Sequence, residues 1–262
     1  MEFNYPKISI VTPSFNSAKY IEDCIQSVLN QNYPNIEHII IDGGSSDGTL
    51  EILKKYSHLK WISEPDEGQS DALNKGFKMT NGDILGWCNS DDVYLPQTFK
   101  KVVAKLINSK YDGVYSNLYF GDEKLNITRK SLSHKPIKWL SLFHCFIPSA
   151  TFFFKRKIIE AGILIDKTKH ITMDKDFFAS ILYNDYNLKY VNDYFAIFRW
   201  HENNKSLYSQ KTLSIRLIEG VELLNRFSMI KVPQNEFGYF LYKSMNPIIL
   251  LVKFFIKLRK VN

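Results

Sequence analysis

Asn89-Ser90-Asp91-Asp92 follows directly on an apolar run at 84–88 and crowds two carboxylates at the carboxyl end of what reads as a strand. Hard oxygen donors there suit Mg2+ or Mn2+, ions that usually arrive with a substrate's phosphates. An Asx turn with a helix cap ahead of Pro96 is the other use of the same residues. Asp42 closes a second apolar run, 36–41. A carboxylate in that place either accepts hydrogen bonds from a ribose or nucleobase or caps the helix after Gly43-Gly44-Ser45-Ser46-Asp47-Gly48. That stretch fits neither Gly-x-Gly-x-x-Gly nor the Walker loop, so hydride transfer and P-loop phosphoryl transfer lose support.

The runs that carry these residues alternate between two periods. Residues 8–11 read as a buried strand ended by Thr12-Pro13-Ser14. Tyr20, Ile21, Cys24, Ile25, Val28 and Leu29 recur at helical spacing, with Asn16 or Ser17 as N-cap. Strands at 36–41, 59–62 and 84–88 and helices at 50–56 and 71–79 continue the pattern. Parallel neighbours need crossover connections, so the alternation specifies an α/β fold, a Rossmann-like and mainly parallel sheet flanked by helices. Polar residues gather after strand ends, where such sheets bind ligands. A helix is expected from Pro96 to about 108, strands at 113–120, 127–132, 150–154 and 195–200, and a helix at 174–183; the aromatic run 152–154 reads as core. Only helical patterns remain after about residue 206, so a domain over 1–206 and a helical C-terminal extension over 207–262 are expected.

Composition supports a packed domain. The chain has 262 residues, 45% hydrophobic and 23% charged, with 12 Gly and 9 Pro, which excludes disordered and collagenous architectures. Cys24, Cys88 and Cys145 are odd in number and widely spaced, which argues against a disulfide scaffold or a structural zinc site. The start, Met-Glu-Phe-Asn-Tyr-Pro, lacks a basic segment followed by an apolar one. No apolar run reaches the roughly 18–20 residues of a bilayer span. A cytoplasmic location is therefore expected.

Four stretches resemble, in order and spacing, the family-two glycosyltransferases of the GT-A fold. They are Ile-Val-Thr-Pro-Ser-Phe-Asn (10–16), Ile-Asp-Gly-Gly-Ser-Ser-Asp-Gly-Thr (41–49), Ser-Glu-Pro-Asp-Glu-Gly-Gln-Ser-Asp-Ala-Leu-Asn-Lys-Gly (63–76) and Gly-Asp-Ile-Leu-Gly-Trp-Cys-Asn-Ser-Asp-Asp (82–92). The likeness is close over about the first 100 residues and looser to about 206. It implies a nucleotide-sugar donor across residues 1–110, with Thr12, Pro13, Ser14 and Asn16 along the nucleotide, Asp42 on its base or ribose, and Asp71 and Lys75 near the donor. Residues 111–206 would then form the acceptor half. The family's Asp-x-Asp motif maps onto Asn89-Ser90-Asp91, so Asn89 can hydrogen-bond the donor without bringing charge, Asp91 is the implied metal ligand and Asp92 supports the loop. In Met173-Asp174-Lys175-Asp176, Asp174 aligns with the family's general base, while Met173 stands where the family has a first acid; a helix cap is the plainer use of such an Asp. His201, in the stretch 198–206, matches a His that turns toward the diphosphate or its metal, and Lys205 could neutralise a phosphate. A surface or core His and a solvated Lys are the alternatives.

The reaction so implied is inverting transfer of a sugar from a nucleoside-diphosphate sugar to a hydroxyl of a glycan or lipid-linked glycan, with Mn2+ or Mg2+, in bacterial surface polysaccharide synthesis. A sugar nucleotidyltransferase would need a Gly-rich loop with Arg and Lys after the first strand, and residues 12–19 offer one Lys and no Gly. A catalytically silent binding subunit is the second rival, suggested by Asn89 and Met173.

Of the net charge of +7, the last 62 residues, with ten Lys and Arg against four Asp and Glu, carry all but one unit. No nucleic-acid partner is expected. Asn246-Pro247 opens a helix that puts Lys253, Lys257 and Lys260 on one face and Ile248, Leu251, Phe255 and Leu258 on another, a basic amphipathic pattern over 247–260 that suits the surface of an anionic membrane. Docking on the domain or a homodimer contact are the other uses of such a helix.

Overall fold

The computed structural model describes residues 5–204, 209–229 and 231–245. The first half follows the alternation: β1 (Ile8–Ser14), α1 (Ile21–Leu29), β2 (Ile36–Asp42), α2 (Thr49–Leu53), β3 (Lys60–Ser63), α3 (Gln69–Met79) and β4 (Ile84–Trp87). A two-residue β5 (Val93–Tyr94) and α4 (Thr98–Leu106) lead into β6 (Gly113–Gly121) and β7 (Ile127–Ser131). Then come β8 (Phe153–Lys155), α5 (Lys157–Glu160), α6 (Met173–Tyr183), β9 (Leu188–Arg199), α7 (Gln210–Phe227) and α8 (Glu236–Ser244).

Among the described residues these strands form one sheet in the order β3-β2-β1-β4-β8-β6-β9-β5, with β7 beside β6. The first four are parallel; β8 runs antiparallel to β4 and β6, while β6 and β9 are parallel. β1 runs on through Thr12-Pro13-Ser14, where a turn is expected from the sequence. Its pairing with β4 ends at Val11 opposite Trp87, so Pro13 faces no strand on that side and its missing N–H costs no ladder bond.

Alternation along β1 divides the core. Ile8 and Ile10 pack with Cys24, Val28, Phe99 and Val102 of α1 and α4, whereas Val11 packs on the other face with Leu73 and Phe77 of α3 and Phe177 and Phe178 of α6. A Cβ on Gly76 would stand 2.2 Å from Val11 Cγ1, so glycine is what lets α3 lie against β1. Phe152, Phe153 and Phe154 are core, as expected. The strand expected over 150–154 is shorter, because Ser149–Thr151 is a 3-10 turn in which the Thr151 N–H and hydroxyl both bond the Pro148 carbonyl. Helices α7 and α8 dock through Val221, Leu224 and Tyr242 on Leu142 and Ala179. The amphipathic helix expected over 247–260 and Lys205 lie outside the described residues. Among the described residues no helix is long and apolar enough to cross a membrane.

Candidate active site

The carboxyl ends of β1, β2 and β4 open into a cleft of about 720 Å³ that also meets α6 and the chain beyond β9. Pro13, Ser14, Asn16, Asn89, Asp91, Asp174 and His201 line it; Thr12, Asp42, Asp71 and Lys75 do not.

Those four act from behind the wall. The Thr12 side chain is fully buried toward α1, its hydroxyl 2.9 Å from His38 Nε2. The Asp42 carboxylate accepts hydrogen bonds from the Gly44 and Ser45 N–H groups at 3.1 and 2.8 Å and from the Ser45 and Ser63 hydroxyls, so its oxygens fold the loop after β2. Gly43 takes the lining place instead, against Asp66, whose Oδ2 would stand 2.9 Å from a Cβ there. Asn16 is left-handed (φ 48°) rather than a helix cap; its N–H donates to Ser45 Oγ and its Oδ1 accepts from the Ser46 N–H. Lys75 pairs with Glu64 and Asp71, and Lys167 pairs with Asp71 and Glu67. Burial alone would raise Asp71, but Lys167, the Glu67 N–H and Lys75 outweigh it and hold the carboxyl below its ordinary range.

The loop after β4 is fixed side chain by side chain. Asn89 accepts from Gln69 Nε2 (2.8 Å) and donates to Asp92 (3.0 Å). Asp92 is fully buried and takes the Arg199 N–H; burial first, then the Asp91 carboxylate, push it well above the usual carboxylate range. Asp91 stays at the cleft, with Oδ2 3.0 Å from His201 Nε2 and 3.3 Å from Asn204 Nδ2. Asp91 and His201 bond each other here and Asn204 Nδ2 lies 3.1 Å from the same imidazole nitrogen; a carboxylate oxygen and an imidazole nitrogen are donor types that a divalent cation accepts. Among the described residues no group of three or more His, Cys, Asp or Glu gathers to hold a metal. Arg199 braces this end: its side chain donates to the Asp91 and Glu123 carbonyls and pairs with Asp23 at 2.7 Å. Tyr20 lies between, its ring 4.7 Å from both the His201 ring and the Arg199 guanidinium.

On the far side Asp174 projects from the first turn of α6, half-buried. It accepts from the Lys175 N–H at 2.7 Å, and the Cys145 thiol lies 3.6 Å away. Burial raises its pKa above the ordinary carboxylate value. Met173 is a buried tie to α3, its sulfur 3.0 Å from the Ser70 hydroxyl. Asp176 turns away from the cleft and pairs with Arg226 of α7. From α7, Arg216 reaches the cleft wall and Glu219 lies beneath residues 170–172.

Neither Asp66 nor Gln69 stands out in the sequence, although both sit inside the motif at 63–76, and Tyr20 reads there as helix stripe alone. Arg199 and Asn204 flank His201 and carried the same signal. Glu219 and Arg216 carried none, lying outside every motif.

The family model of glycosyl transferase family 2 matches residues 9–181. The chain belongs to this family. An uncharacterized glycosyltransferase of Rickettsia prowazekii is 25% identical over 253 residues, 95% of this chain and 76% of the relative. One from Nostoc is 27% identical over 177 residues, 62% of this chain and 55% of the relative. The putative teichuronic acid biosynthesis glycosyltransferase TuaG of Bacillus subtilis is 36% identical over 102 residues, 37% of this chain and 40% of its own. The chain thus matches only about half the length of two of these relatives. Among solved structures, S. aureus TarS superposes with a TM-score of 0.66 at 18% identity, over 86% of this chain and 67% of TarS. The mannosyltransferase PcManGT of Pyrobaculum calidifontis, solved with GDP-Man and Mn2+, gives 0.63 at 16% identity, over 95% and 73%. The family-2 chain therefore has the mixed α/β fold of the GT-A glycosyltransferases.

Proposed function

We propose that this chain is an inverting glycosyltransferase that moves a sugar from a nucleoside-diphosphate sugar to a hydroxyl of a glycan or lipid-linked glycan in bacterial surface polysaccharide synthesis. One observation carries the reading: a half-buried carboxylate, Asp174, shares a cleft with the Asp91 and His201 pair. The nucleotide runs along Pro13, Ser14 and Asn16, beside Gly43 and Asp66, on a wall that Thr12 and Asp42 shape from behind. Asp71 and Lys75 brace α3, and Asn89 offers the donor a hydrogen bond from a side chain steadied by Gln69. Asp91 and His201 would hold Mn2+ or Mg2+, which supplies positive charge against the departing diphosphate. Asp174 takes the acceptor's proton as its oxygen attacks the anomeric carbon from the face opposite the leaving group. A single displacement forms no covalent intermediate, so one carboxylate suffices.

TarS solved with UDP and with UDP-GlcNAc, and PcManGT with GDP-Man and Mn2+, support the donor class and the cation; the name of TuaG supports the polysaccharide setting. We divide the chain into a transferase domain over 1–206 and an extension from residue 207 whose α7 and α8 dock on that domain. The basic and apolar pattern over 247–260 suits contact with an anionic membrane surface, so deleting 246–262 should abolish sedimentation with anionic liposomes; a full-length protein that ignores them at low salt points to docking on the domain or a homodimer contact instead. A panel of nucleotide sugars with Mn2+, followed by mass analysis of products, tests the activity. Release of nucleoside diphosphate with a sugar-bearing product is expected; donor binding without turnover of any panel member would make the chain a silent binding subunit.

A further inference from the structure

The start of α6 is held from outside the family-matched region. A helix start leaves N–H groups without intrahelical partners, and Thr172 at the cap position makes no side-chain cap bond. Glu219 of α7, only 4% exposed, grips instead the three residues that lead into the helix. Its Oε1 accepts the His170 N–H at 2.7 Å, and its Oε2 accepts the Thr172 N–H at 2.8 Å and the Thr172 hydroxyl at 2.9 Å. The Ile171 N–H lies 3.2 Å from Oε2. A buried carboxylate is costly without partners, and three successive N–H groups and a hydroxyl offset that cost. The same helix face grips the segment again, Glu222 pairing with Lys169, and Arg226 with Asp176 and Asp166.

We propose that Glu219 is a positioning residue for Asp174, fixing the backbone of 170–172 so that the carboxylate in the following turn stays aimed into the cleft. The proposal rests on Asp174 being the base. A displacement of about 1 Å at a reacting group costs about 100-fold in rate.

The test is a double-mutant cycle in the full chain, with the donor found by the panel above and UDP or GDP with Mn2+ as binding probes. Glu219→Gln should lower kcat about 10- to 100-fold, leave nucleotide affinity within about twofold and speed amide exchange at 170–174. Glu37→Gln, which loosens the sheet away from this segment, should change kcat by less than about twofold. In an Asp174→Asn background Glu219→Gln should cause no further loss. Wild-type kcat with wild-type exchange at 170–174 overturns the proposal, as does a loss that multiplies with that of Asp174→Asn. Normal turnover by Asp174→Asn alone defeats the base reading instead, and amide exchange then still reports whether Glu219 holds the segment.

Discussion

At the wall of the cleft formed by the ends of β1 and β2, Asp42 bonds residues two and three places on, Asp47 bonds Thr49, and Asp66 bonds the Gly68 N–H. At the wall formed by α6 and the end of β9, Glu219 reaches back 47 residues to Thr172, Ser70 meets Met173 across 103, and His201 meets Asp91 across 110. The nucleotide side is thus shaped by short loops on a parallel sheet, tied to their neighbours over at most 30 residues where Asn16 meets Ser45 and Ser46 and Ser63 meets Asp42. The chemical side is assembled by docking, so it can fail while the nucleotide side stands.

Asp174→Asn separates the two walls most sharply. Turnover should fall by about 10² to 10⁴, while calorimetry finds unchanged nucleotide affinity; a parallel loss of both would mean the walls are one unit. A general base must be ionised, and burial raises Asp174. Wild-type kcat should therefore drop as pH falls through a value above the usual carboxylate range, a limb the Asn variant lacks.

Glu37 sharpens the comparison from the opposite end of the sheet. Burial would raise its pKa, but Lys60, Ser9 and the Asn81 N–H outweigh burial and hold it down to about 2. A pKa depressed on folding stabilises above the unfolded value and ceases to do so as pH falls from about 4.5 toward 2. Glu37→Gln should cost about 2–3 kcal/mol at pH 7 by chemical denaturation, shrinking across that acidic window, with kcat unchanged. A change in kcat would tie the amino-terminal end of the sheet to the chemistry.

Asp91→Ala has the smallest expected effect. Nucleoside diphosphate binding should weaken about tenfold in Mn2+ and not at all in chelator. Equal wild-type affinity in metal and in chelator would remove the cation from the account.

The legible part of the molecule follows the same divide. Alternating periods foretold the first four strands and their helices because each is set by its own few residues. β5, at two residues, is too short to carry a period and exists because β9 pairs with it. Asp42 and Asp91 were visible as carboxylates at strand ends, yet only the fold shows that one is spent on its own loop and the other kept for the cleft. The first turn of α6 was visible as an acidic helix start, but nothing nearby announced Glu219, because its partners are made neighbours by the packing of α7.

The claim at the centre is a single displacement with Asp174 as the only base, and the anomeric configuration of the product tests it most directly. With the donor identified, proton NMR of the new linkage during early turnover should show inversion relative to the donor sugar. Retention would require a second displacement or attack from the same face as the leaving group, and would contradict the account.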